Sequence, residues 1–326
     1  MTDTEPGLVA LDWGTSGQRA WLLDARGRLL DTRRSGRGLL ATTQSIDAHD
    51  PDARAAAYEA ALREACGDWL TSYPRVPAVA CGMVGSAQGW VDSGYRTVPA
   101  TVDFTSLVPV EHRDGVLHLV PGLRIASGET PGDVMRGEET QLAGVLDVLG
   151  DREEPFTVVL PGTHSKWVRI DRGRVTGFAT AMSGELYALL TAHGILARTA
   201  EPSVRDDAAF ARGLAAGRSR GLAAELFGAR PLVLDGALEP ALLPEYVSGV
   251  LIADEVAHLL SGTETEVVLC GTADLCRRYA TAIAGRGVRA TVLSEEITAR
   301  GLWRIADRAG LLGRKDEERL ERTPAR

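Results

Sequence analysis

Several features of secreted, membrane-bound and metal-binding proteins are missing from this sequence of 326 residues. Its four cysteines show no CxxC spacing and its six histidines form no HxxxH or HExxH pair, so neither a disulfide framework nor a metal cage made of protein side chains is indicated. No apolar run approaches the roughly 20 residues that cross a bilayer. The first seven residues are polar and acidic, unlike a signal peptide. We therefore expect a cytoplasmic protein with reduced, mostly buried thiols.

Basic residues are also in the minority. The chain has 36 Lys and Arg against 44 Asp and Glu, which gives a formal charge of −8. A negative protein is repelled by nucleic acid and by anionic membrane surfaces. We expect neither as a partner, and an anionic small molecule would need a local binding site.

The length of the chain predicts two domains, because a single core seldom exceeds about 100–200 residues. With 44% hydrophobic residues, the composition is that of a globular protein. The acidic, proline-containing stretch from Gly150 to Pro155 is the candidate boundary. We therefore expect domains at 1–150 and 151–326, with a cleft between two lobes.

The pattern of the first residues returns in the second half. A strand near Leu8–Leu11 leads through a Gly-Thr-Ser-Gly turn to a strand at Arg19–Asp24. A strand at Thr157–Leu160 likewise leads through a Gly-Thr-His-Ser turn to a strand at Lys166–Ile170. We interpret this as an internal repeat; the alternative is the chance recurrence of hairpin turns.

Other elements follow from periodicity and turn residues. A helix opens at Asp50 and a second one covers Arg136–Leu149, whereas the chain from Gly82 to about Pro131 is rich in loops. A long helix is expected near Asp206–Phe227. Strands alternate with helices towards the end, so the fold class is α/β.

The first turn brings together groups that bind phosphate. Asp12 ends a strand, and Gly14, Thr15 and Ser16 follow with backbone N–H groups and two hydroxyls. Glycine lets a phosphate approach the backbone, and the Asp12 carboxylate would hold Mg²⁺, commonly through water. A plain hairpin turn is the alternative.

The second turn offers the same donors and a cation. It contains Gly162, Thr163, His164 and Lys166. We expect His164 to make hydrogen bonds on the phosphate side rather than to act as an acid or base. Two such turns in facing domains would hold a polyphosphate from both sides.

Long motifs make the sequence similar to a known family. They are DWGT from Asp12, CGMVGSAQGW from Cys81, DVMRGEETQ from Asp133, LPGTHSKW from Leu160 and MSGEL from Met182. The chain resembles the sugar kinases of the superfamily that includes actin and the heat-shock ATPases, and more narrowly the 2-dehydro-3-deoxygalactonokinase family. The resemblance implies a two-domain, duplicated actin-like (ribonuclease H-like) ATPase fold. One departure is the run from Ser16 to Gln18, where relatives tend to have a Thr-Asn-Leu-like run.

The resemblance also implies a reaction. ATP, with Mg²⁺, would phosphorylate the terminal (C6) hydroxyl of 2-dehydro-3-deoxy-D-galactonate, as a step of galactonate and galactose catabolism. The reaction needs a carboxylate near the attacking hydroxyl. Related kinases place an acidic residue at the start of the last helix of the first domain. Glu138 fits that place and Asp133 is its rival; helix capping is the alternative role for both.

Further binding residues are implied in the same way. The glycine-rich loop resembles the sugar-binding loop of larger carbohydrate kinases, which makes Ser86, Gln88 and Trp90 substrate candidates; Trp90 is equally suited to a core position. A guanidinium can bind the carboxylate of a sugar acid, and Arg136 is preferred to Arg19. Gly271, between a buried strand and a helix, would allow adenosine to lie against the backbone.

Two other functions remain open at this stage. A phosphohydrolase of the same superfamily would break down ATP without an acceptor, and a non-catalytic sugar-acid sensor would bind without turnover. The sequence does not separate the galacto from the gluco epimer of the acceptor. It also leaves open whether the protein forms a homo-oligomer.

Overall fold

The chain forms two compact units. The computed structural model describes residues 5–47, 50–150, 152–217, 221–294 and 296–313. Unit 1 takes in the chain up to Arg152 and again from Glu296, and unit 2 consists of the segment that begins at Glu153.

Unit 1 contains ten strands and four helices within the described residues. The strands are β1 (Pro6–Trp13), β2 (Gln18–Asp24), β3 (Leu29–Ser35), β4 (Ala78–Gly82), β5 (Tyr95–Thr97), β6 (Ala100–Thr101), β7 (Val108–His112), β8 (Gly115–Leu119), β9 (Gly122–Ile125) and β10 (Asp133–Met135). The helices are α1 (Leu39–Thr43), α2 (Pro51–Ser72), α3 (Glu138–Leu149) and, from the far end of the chain, α10 (Ile297–Arg308).

In its described residues, unit 2 begins with three strands, continues with five α-helices and closes with two strands that are separated by an α-helix. The strands are β11 (Phe156–Leu160), β12 (Ser165–Asp171), β13 (Arg174–Ala181), β14 (Glu266–Cys270) and β15 (Arg289–Leu293). The helices are α4 (Ser183–Ala192), α5 (Gly194–Ala197), α6 (Asp207–Ala216), α7 (Leu222–Leu234), α8 (Leu243–Leu259) and α9 (Ala273–Ala284).

The two large sheets repeat one strand order. In unit 1 the order is β3-β2-β1-β4-β8-β7, and in unit 2 it is β13-β12-β11-β14-β15. The first three strands of each series are antiparallel, and the next two join in parallel. This repetition confirms the internal repeat predicted from the two Gly-Thr turns and the duplicated α/β fold that the resemblance implies.

Helix α2 covers one face of the unit 1 sheet, as its sequence predicts. The Asp50 side chain accepts from the backbone N–H groups of Asp52 and Ala53, and Pro51 occupies the first turn. Such a cap stabilises a helix by about 1 kcal/mol. Tyr58, Leu62 and the neighbouring aromatic Trp69 are buried in the core on that face.

Helices α3 and α10 approach each other unusually closely in unit 1. A Cβ atom on Gly301 would lie 1.9 Å from the carbonyl oxygen of Thr140, and one on Gly144 would lie 2.1 Å from that of Ile297. Only glycine fits at such distances. Helix α10 thereby packs against the helix that begins with Glu138, one of the two acidic candidates.

One expectation was incomplete and one was wrong. The loop-rich stretch from Gly82 to about Pro131 also contains strands β5 to β9, of which β7 pairs with β8, and β5 pairs with β9 in a three-stranded sheet with β10. The expected helix at Asp206–Phe227 consists of two helices, α6 and α7; residues 218–220 lie outside the described part of the chain. Among described residues, no helix has the length and apolar character required to cross a bilayer.

Candidate functional site

The backbone of the first turn of unit 1 is held by hydrogen bonds from α1, and its hydroxyl side chains face solvent. The N–H of Gly14 donates to the carbonyl of Gly17 at 2.9 Å, and the first N–H groups of α1, from Leu39 and Leu40, donate to the carbonyls of Gly14 and Thr15. Thr15 and Ser16 are exposed. The turn thus keeps its hydroxyls available for a ligand.

Close packing makes this arrangement depend on one glycine. A Cβ on Gly38, the residue before α1, would lie 2.4 Å from the backbone nitrogen of Gly17 and 2.6 Å from the carbonyl oxygen of Thr15. Any side chain there would push the turn away from the helix.

Asp12 lies at the end of β1 beside Arg19. The Arg19 guanidinium donates to Oδ2 of Asp12 at 2.7 Å, while Oδ1 has the Cys81 thiol at 4.0 Å. Trp13 pairs with Gly82 where parallel strands β1 and β4 end. One carboxylate oxygen of Asp12 is therefore engaged by Arg19, and the other lies at the edge where β1 and β4 end.

Helix α3 begins at this same edge. Gly82 and Gly137 both have positive φ, and a Cβ on Gly137 would contact the Cα of Gly82 at 3.4 Å. This contact brings the first turn of α3, with Glu138 and Glu139, to the ends of β1 and β4. Glu138 is partly buried, and its carboxylate accepts from the backbone N–H of Arg136 at 3.0 Å.

Glu139, which the sequence analysis did not single out, is fully buried there. Its carboxylate accepts from the N–H of Gly137 at 2.6 Å and from the Thr140 hydroxyl at 3.0 Å. Burial, and secondarily the charge of Glu138, raises the pKa of Glu139 to about 8. Burial also raises the pKa of the Cys81 thiol, with further contributions from Asp12 and Glu139. Asp12 and Glu139 therefore both lie close enough to Cys81 to raise the pKa of its thiol.

Asp133 lies apart from this edge. It occupies the first position of β10, where it pairs with Ile125 in the three-stranded sheet, and its carboxylate accepts from the N–H of Val134 at 2.7 Å. It also lines a surface hollow with Ser127. Among the acidic candidates, the two on α3 are the ones that the fold brings to the ends of β1 and β4.

The glycine-rich loop after β4 divides its three candidates. The Ser86 hydroxyl donates to the carbonyl of Met83, and Ser86 is buried. Trp90 is in the core, stacked on Tyr58 with ring centroids 6.0 Å apart, which is the structural alternative left open for it. Gln88 is exposed and is the candidate of the three whose side chain faces solvent.

Arg136 is built into the unit rather than presented to solvent. Its side chain is 4% exposed, and its guanidinium donates to the Ser93 hydroxyl at 2.6 Å and to the carbonyl of Gly94 at 3.1 Å. It also lies over the Tyr95 ring. These contacts tie the strand before α3 to the loop after β4.

The second turn repeats the first in unit 2. The N–H of Glu185, in the first turn of α4, donates to the carbonyl of Thr163 at 3.0 Å. A Cβ on Gly184 would lie 2.3 Å from the carbonyl oxygen of Gly162. Gly184 therefore packs as closely on the second turn as Gly38 packs on the first. Thr163 is exposed, so this turn too presents a hydroxyl.

The two cationic candidates of the second turn have partners. His164 is exposed, and its Nε2 lies 2.5 Å from Oε2 of Glu185. Lys166 is 5% exposed, and its Nζ donates to the Thr180 hydroxyl on the neighbouring strand at 2.8 Å. His164 therefore makes a hydrogen bond within the turn region, and Lys166 makes one to the neighbouring strand β13.

A pocket of about 160 Å³ lies beside the second turn, within unit 2. Its lining is part apolar and part polar: Gly162, Ser183, Gly184, Tyr187, Ser248, Leu251, Ile252, Asp274, Leu275, Arg278 and Tyr279. Whole small-molecule ligands usually occupy about 300–1,000 Å³, so this pocket suits one flat ring of a larger ligand. Gly271 lies nearby at the end of β14, where its Cβ would be 3.1 Å from the carbonyl oxygen of Pro161.

Comparison with known proteins assigns the chain to a family. The sequence profile of the 2-keto-3-deoxy-galactonokinase family matches residues 12–305. The chain belongs to this family.

Relatives of similar length support the assignment. A Rhizobium meliloti (strain 1021) protein named as a probable 2-dehydro-3-deoxygalactonokinase is 34% identical over 90% of this chain and 97% of its own. The 2-dehydro-3-deoxygalactonokinase of Escherichia coli (strain K12) is 31% identical over 88% and 92%. The chain therefore resembles these relatives along almost their whole length.

Solved structures agree on the fold. A Sinorhizobium meliloti protein proposed to be a 2-dehydro-3-deoxygalactonokinase superimposes with a TM-score of 0.80 at 30% identity, covering 93% of this chain and 96% of its own. An activator of a CoA dehydratase from Clostridium difficile, solved with bound ADPNP, superimposes with a TM-score of 0.51 at 13% identity, covering 98% and 99%. The fold is that of the actin-like ATPases and sugar kinases.

Within this member of the 2-keto-3-deoxy-galactonokinase family, Glu139 is the residue that sequence reasoning missed. A signal for it existed. Glu139 shares a helical spacing of three, four and seven residues with Leu142, Ala143 and Leu146, all of which are buried. An acidic residue in register with the apolar face of a helix points to a buried carboxylate.

Proposed function

We propose that this chain transfers the γ-phosphoryl group of ATP to the terminal (C6) hydroxyl of 2-dehydro-3-deoxygalactonate, which gives the 6-phosphate and ADP. The observation that carries the proposal is the family match over residues 12–305 together with full-length relatives named for this activity. An acceptor-independent hydrolase and a non-catalytic sensor are not favoured, because these relatives are named as kinases.

Unit 2 offers the groups for the nucleotide. The exposed Thr163 hydroxyl and the backbone of the second turn suit phosphate oxygens, and the adjacent pocket suits the adenine ring. Gly271 lies against Pro161 at the end of β14, and we retain it as the adenosine-side glycine. His164 and Lys166 are proposed to support the turn through Glu185 and Thr180, respectively.

Unit 1 offers the groups for phosphate and metal. Thr15 and Ser16 present hydroxyls on the first turn. Among described residues, no group of three or more His, Cys, Asp or Glu side chains is arranged to hold a metal. Mg²⁺ usually keeps several waters and uses only one or two carboxylates together with phosphate oxygens, so Asp12 alone is a sufficient protein contact. When bound, Mg²⁺ would neutralise charge on the phosphates.

The proton of the attacking hydroxyl needs an acceptor in unit 1. Glu138 and Asp133 remain candidates, and the structure adds Glu139. Both glutamates lie at the edge where β1 and β4 end, which favours them over Asp133. A base is most effective when its pKa is close to the working pH, and Glu139, with a pKa of about 8, meets that condition.

Replacement of each carboxylate by its amide tests these roles. We expect Glu138→Gln to lower kcat by about 10²–10⁴-fold while the affinity for ATP stays within a few-fold, since general bases contribute about that much. Asp133→Asn serves as the matched variant away from the edge. If Glu138→Gln retains more than about a tenth of the activity, the role passes to whichever of Glu139→Gln and Asp133→Asn shows the loss.

The sugar acid would contact the exposed part of the loop after β4. Gln88 is the direct candidate, whereas Ser86, Trp90 and Arg136 would shape the loop from within. Gln88→Ala should raise KM for the acceptor and leave KM for ATP unchanged.

Formation of ADP tests the function itself. Purified protein with Mg-ATP would be assayed with 2-keto-3-deoxygalactonate, 2-keto-3-deoxygluconate, galactonate and glycerol, and with no acceptor. We expect turnover with the keto-deoxy acids alone, and the ratio of their kcat/KM values gives the epimer preference. Equal ADP release in all five reactions would establish a hydrolase, and no release would leave a binding protein.

A further inference from the structure

A buried set of hydrogen bonds lies behind the second turn of unit 2. We call it the Glu255 network; it joins Gly162, Ser165, Tyr279, Glu255 and Trp167. Ser165 Oγ lies 2.8 Å from Tyr279 Oη, which donates to Glu255 at 2.7 Å, and the indole N–H of Trp167 donates to the other Glu255 oxygen at 2.6 Å. The four side chains are each no more than 4% exposed.

The chemistry of these groups fixes the direction of two of these hydrogen bonds. The indole N–H of Trp167 can only donate, and Tyr279 donates its single proton to Glu255. The hydroxyl of Ser165 can then donate to Tyr279 or to Glu255, with which it also makes a hydrogen bond. The lone pairs of Ser165 then remain for the backbone N–H of Gly162, which lies 3.5 Å from Oγ. The carboxyl group of Glu255 thus orients a series of hydrogen bonds that ends at Gly162 in the second turn.

The same carboxylate is connected to α4. A hydrogen bond from Ser183, at the start of α4, acts on Glu255 together with those from Trp167 and Tyr279. The next residue, Gly184, packs against the carbonyl of Gly162. Glu255 is therefore linked to both sides of the contact between α4 and the second turn.

A structural role alone does not account for a buried carboxyl group at this position. Burial raises the pKa of Glu255 and that of Tyr279, which shows that both polar groups have been removed from water. Polar groups that are costly to bury are expected where they hold a functional geometry.

We propose that Glu255 is a positioning residue, which acts through Tyr279 and Ser165 to hold the second turn in the conformation that binds the phosphates of the nucleotide. This inference rests on the proposed function. It concerns binding of ATP and ADP and makes no claim about the acceptor.

The test uses Glu255→Gln, Tyr279→Phe and the double variant in the full chain. Glu255 is not part of the pocket lining, whereas Tyr279 is. A loss in Glu255→Gln therefore reports on positioning and not on a lost contact with the nucleotide. The matched control is Tyr58→Phe in unit 1, because its hydroxyl is buried without a hydrogen-bond partner.

We expect both single variants to raise KM for ATP and Kd for ADP by about 10- to 100-fold, the usual effect of losing a hydrogen bond to a charged group. KM for the acceptor should change less than two-fold. The double variant should be little worse than either single variant, because both break one chain. Tyr58→Phe should bind nucleotide like the wild type.

Other outcomes would overturn the proposal. Lower melting temperatures with unchanged ADP affinity would leave only a structural role, and additive losses would mean that Glu255 and Tyr279 act separately. If Glu255→Gln does not fold, Ser165→Ala, which changes the network at a residue outside the pocket lining, decides the question with Tyr58→Phe as its control. Calorimetry with ADP alone separates the two proposals, since a wild type that binds ADP but uses no acceptor contradicts the function and leaves the network to be judged on the variants.

Discussion

At the scale of single residues, the most unusual group in unit 1 is the buried carboxyl of Glu139. It has hydrogen bonds from Gly137 and Thr140, yet burial keeps its pKa near 8. At neutral pH the group is therefore mostly protonated in the ligand-free protein, and deprotonation becomes easier where a cation such as Mg²⁺ is near. In the proposed mechanism Glu139 can accept the proton of the attacking hydroxyl only in its deprotonated form.

The raised pKa has a measurable consequence for stability. Between pH 4.5 and about 8 the native protein holds a proton on Glu139 that the unfolded chain releases, so its contribution to stability falls as pH rises, by about 1.4 kcal/mol per pH unit. Glu139→Gln does not titrate. In urea unfolding at several pH values, the unfolding free energy of the variant should rise relative to that of the wild type up to about pH 8. Above that pH the difference should stay constant.

A control separates this effect from the simple loss of a negative charge. Glu111→Gln removes an exposed carboxylate from the same unit. The contrary result is that the unfolding free energies of wild type and Glu139→Gln differ by the same amount at every pH. It would show that the fold does not keep Glu139 protonated.

Gln18 provides a second test at this scale. Its side chain is 2% exposed at the start of β2, and neither its nitrogen nor its oxygen has a hydrogen-bond partner. An unsatisfied buried polar group reduces stability by about 1–3 kcal/mol. Gln18→Leu, which keeps the size of the side chain, should therefore raise the free energy of unfolding in urea by about that amount. A loss of stability would mean that the amide is hydrogen-bonded in solution.

At the scale of elements, glycine sets the distances on which the site depends. Gly38 and Gly184 let a helix pack directly on the first and second turn, and Gly144 and Gly301 let α3 and α10 touch along their backbones. The side chains of the candidate site are placed by these contacts, because α3 carries Glu138 and Glu139.

Gly301→Ala tests the packing of α10 on α3. A methyl group 1.9 Å from the Thr140 carbonyl oxygen cannot be accommodated without moving one helix, and overpacking of this kind costs about 1–3 kcal/mol, occasionally more. We expect a loss of about 3 kcal/mol in unfolding free energy, accompanied by reduced kcat because Glu139 adjoins the displaced turn. Gly128→Ala, where a Cβ meets open space, should remain within about 0.5 kcal/mol of wild type; an equal loss in both variants would refute the explanation.

Local elements were predictable where the signal is local. The hairpins around Gly14 and Gly162, the cap at Asp50 and strand Glu266–Cys270 lie where turn residues and apolar runs place them. The three-stranded sheet was not predictable, because β5, β9 and β10 are only three or four residues long and β5 pairs with β9 across three intervening strands. Such strands carry little pattern of their own.

Within the candidate site the same distinction holds. The family motifs identified the two turns and the acidic start of α3, but a motif does not say which side chain is buried. Trp90 and Arg136 proved to be packed inside unit 1, since their partners Tyr58, Ser93 and Gly94 come from elsewhere in the chain. The choice between Glu138 and Glu139 likewise required the fold.

At the scale of the whole molecule, binding of nucleotide should appear as stability. ADP that binds the native protein at 100 times its Kd adds about 2.7 kcal/mol to the unfolding free energy, and we place its base in the unit 2 pocket. Thermal unfolding with and without Mg-ADP should therefore show a higher melting temperature with the ligand. Leu275→Trp, which puts a larger side chain into the lining of the pocket, should abolish most of the shift.

A conservative change at the same position completes that experiment. Leu275→Met keeps the volume of the side chain and should keep the ADP-dependent shift. A shift that survives in Leu275→Trp would place the base elsewhere, and a shift lost in both variants would mean that position 275 affects folding rather than the pocket.

The return of α10 to unit 1 bears on the order in which the protein can be made. During synthesis from the N-terminus, α3 leaves the ribosome more than 140 residues before its partner helix, which begins at Ile297. Until then the face of α3 with Thr140 and Gly144 lacks the contact with α10 that it has in the finished protein. Unit 2 is therefore synthesised before α10 becomes available to unit 1. A nascent chain at that stage is open to binding by chaperones or to aggregation.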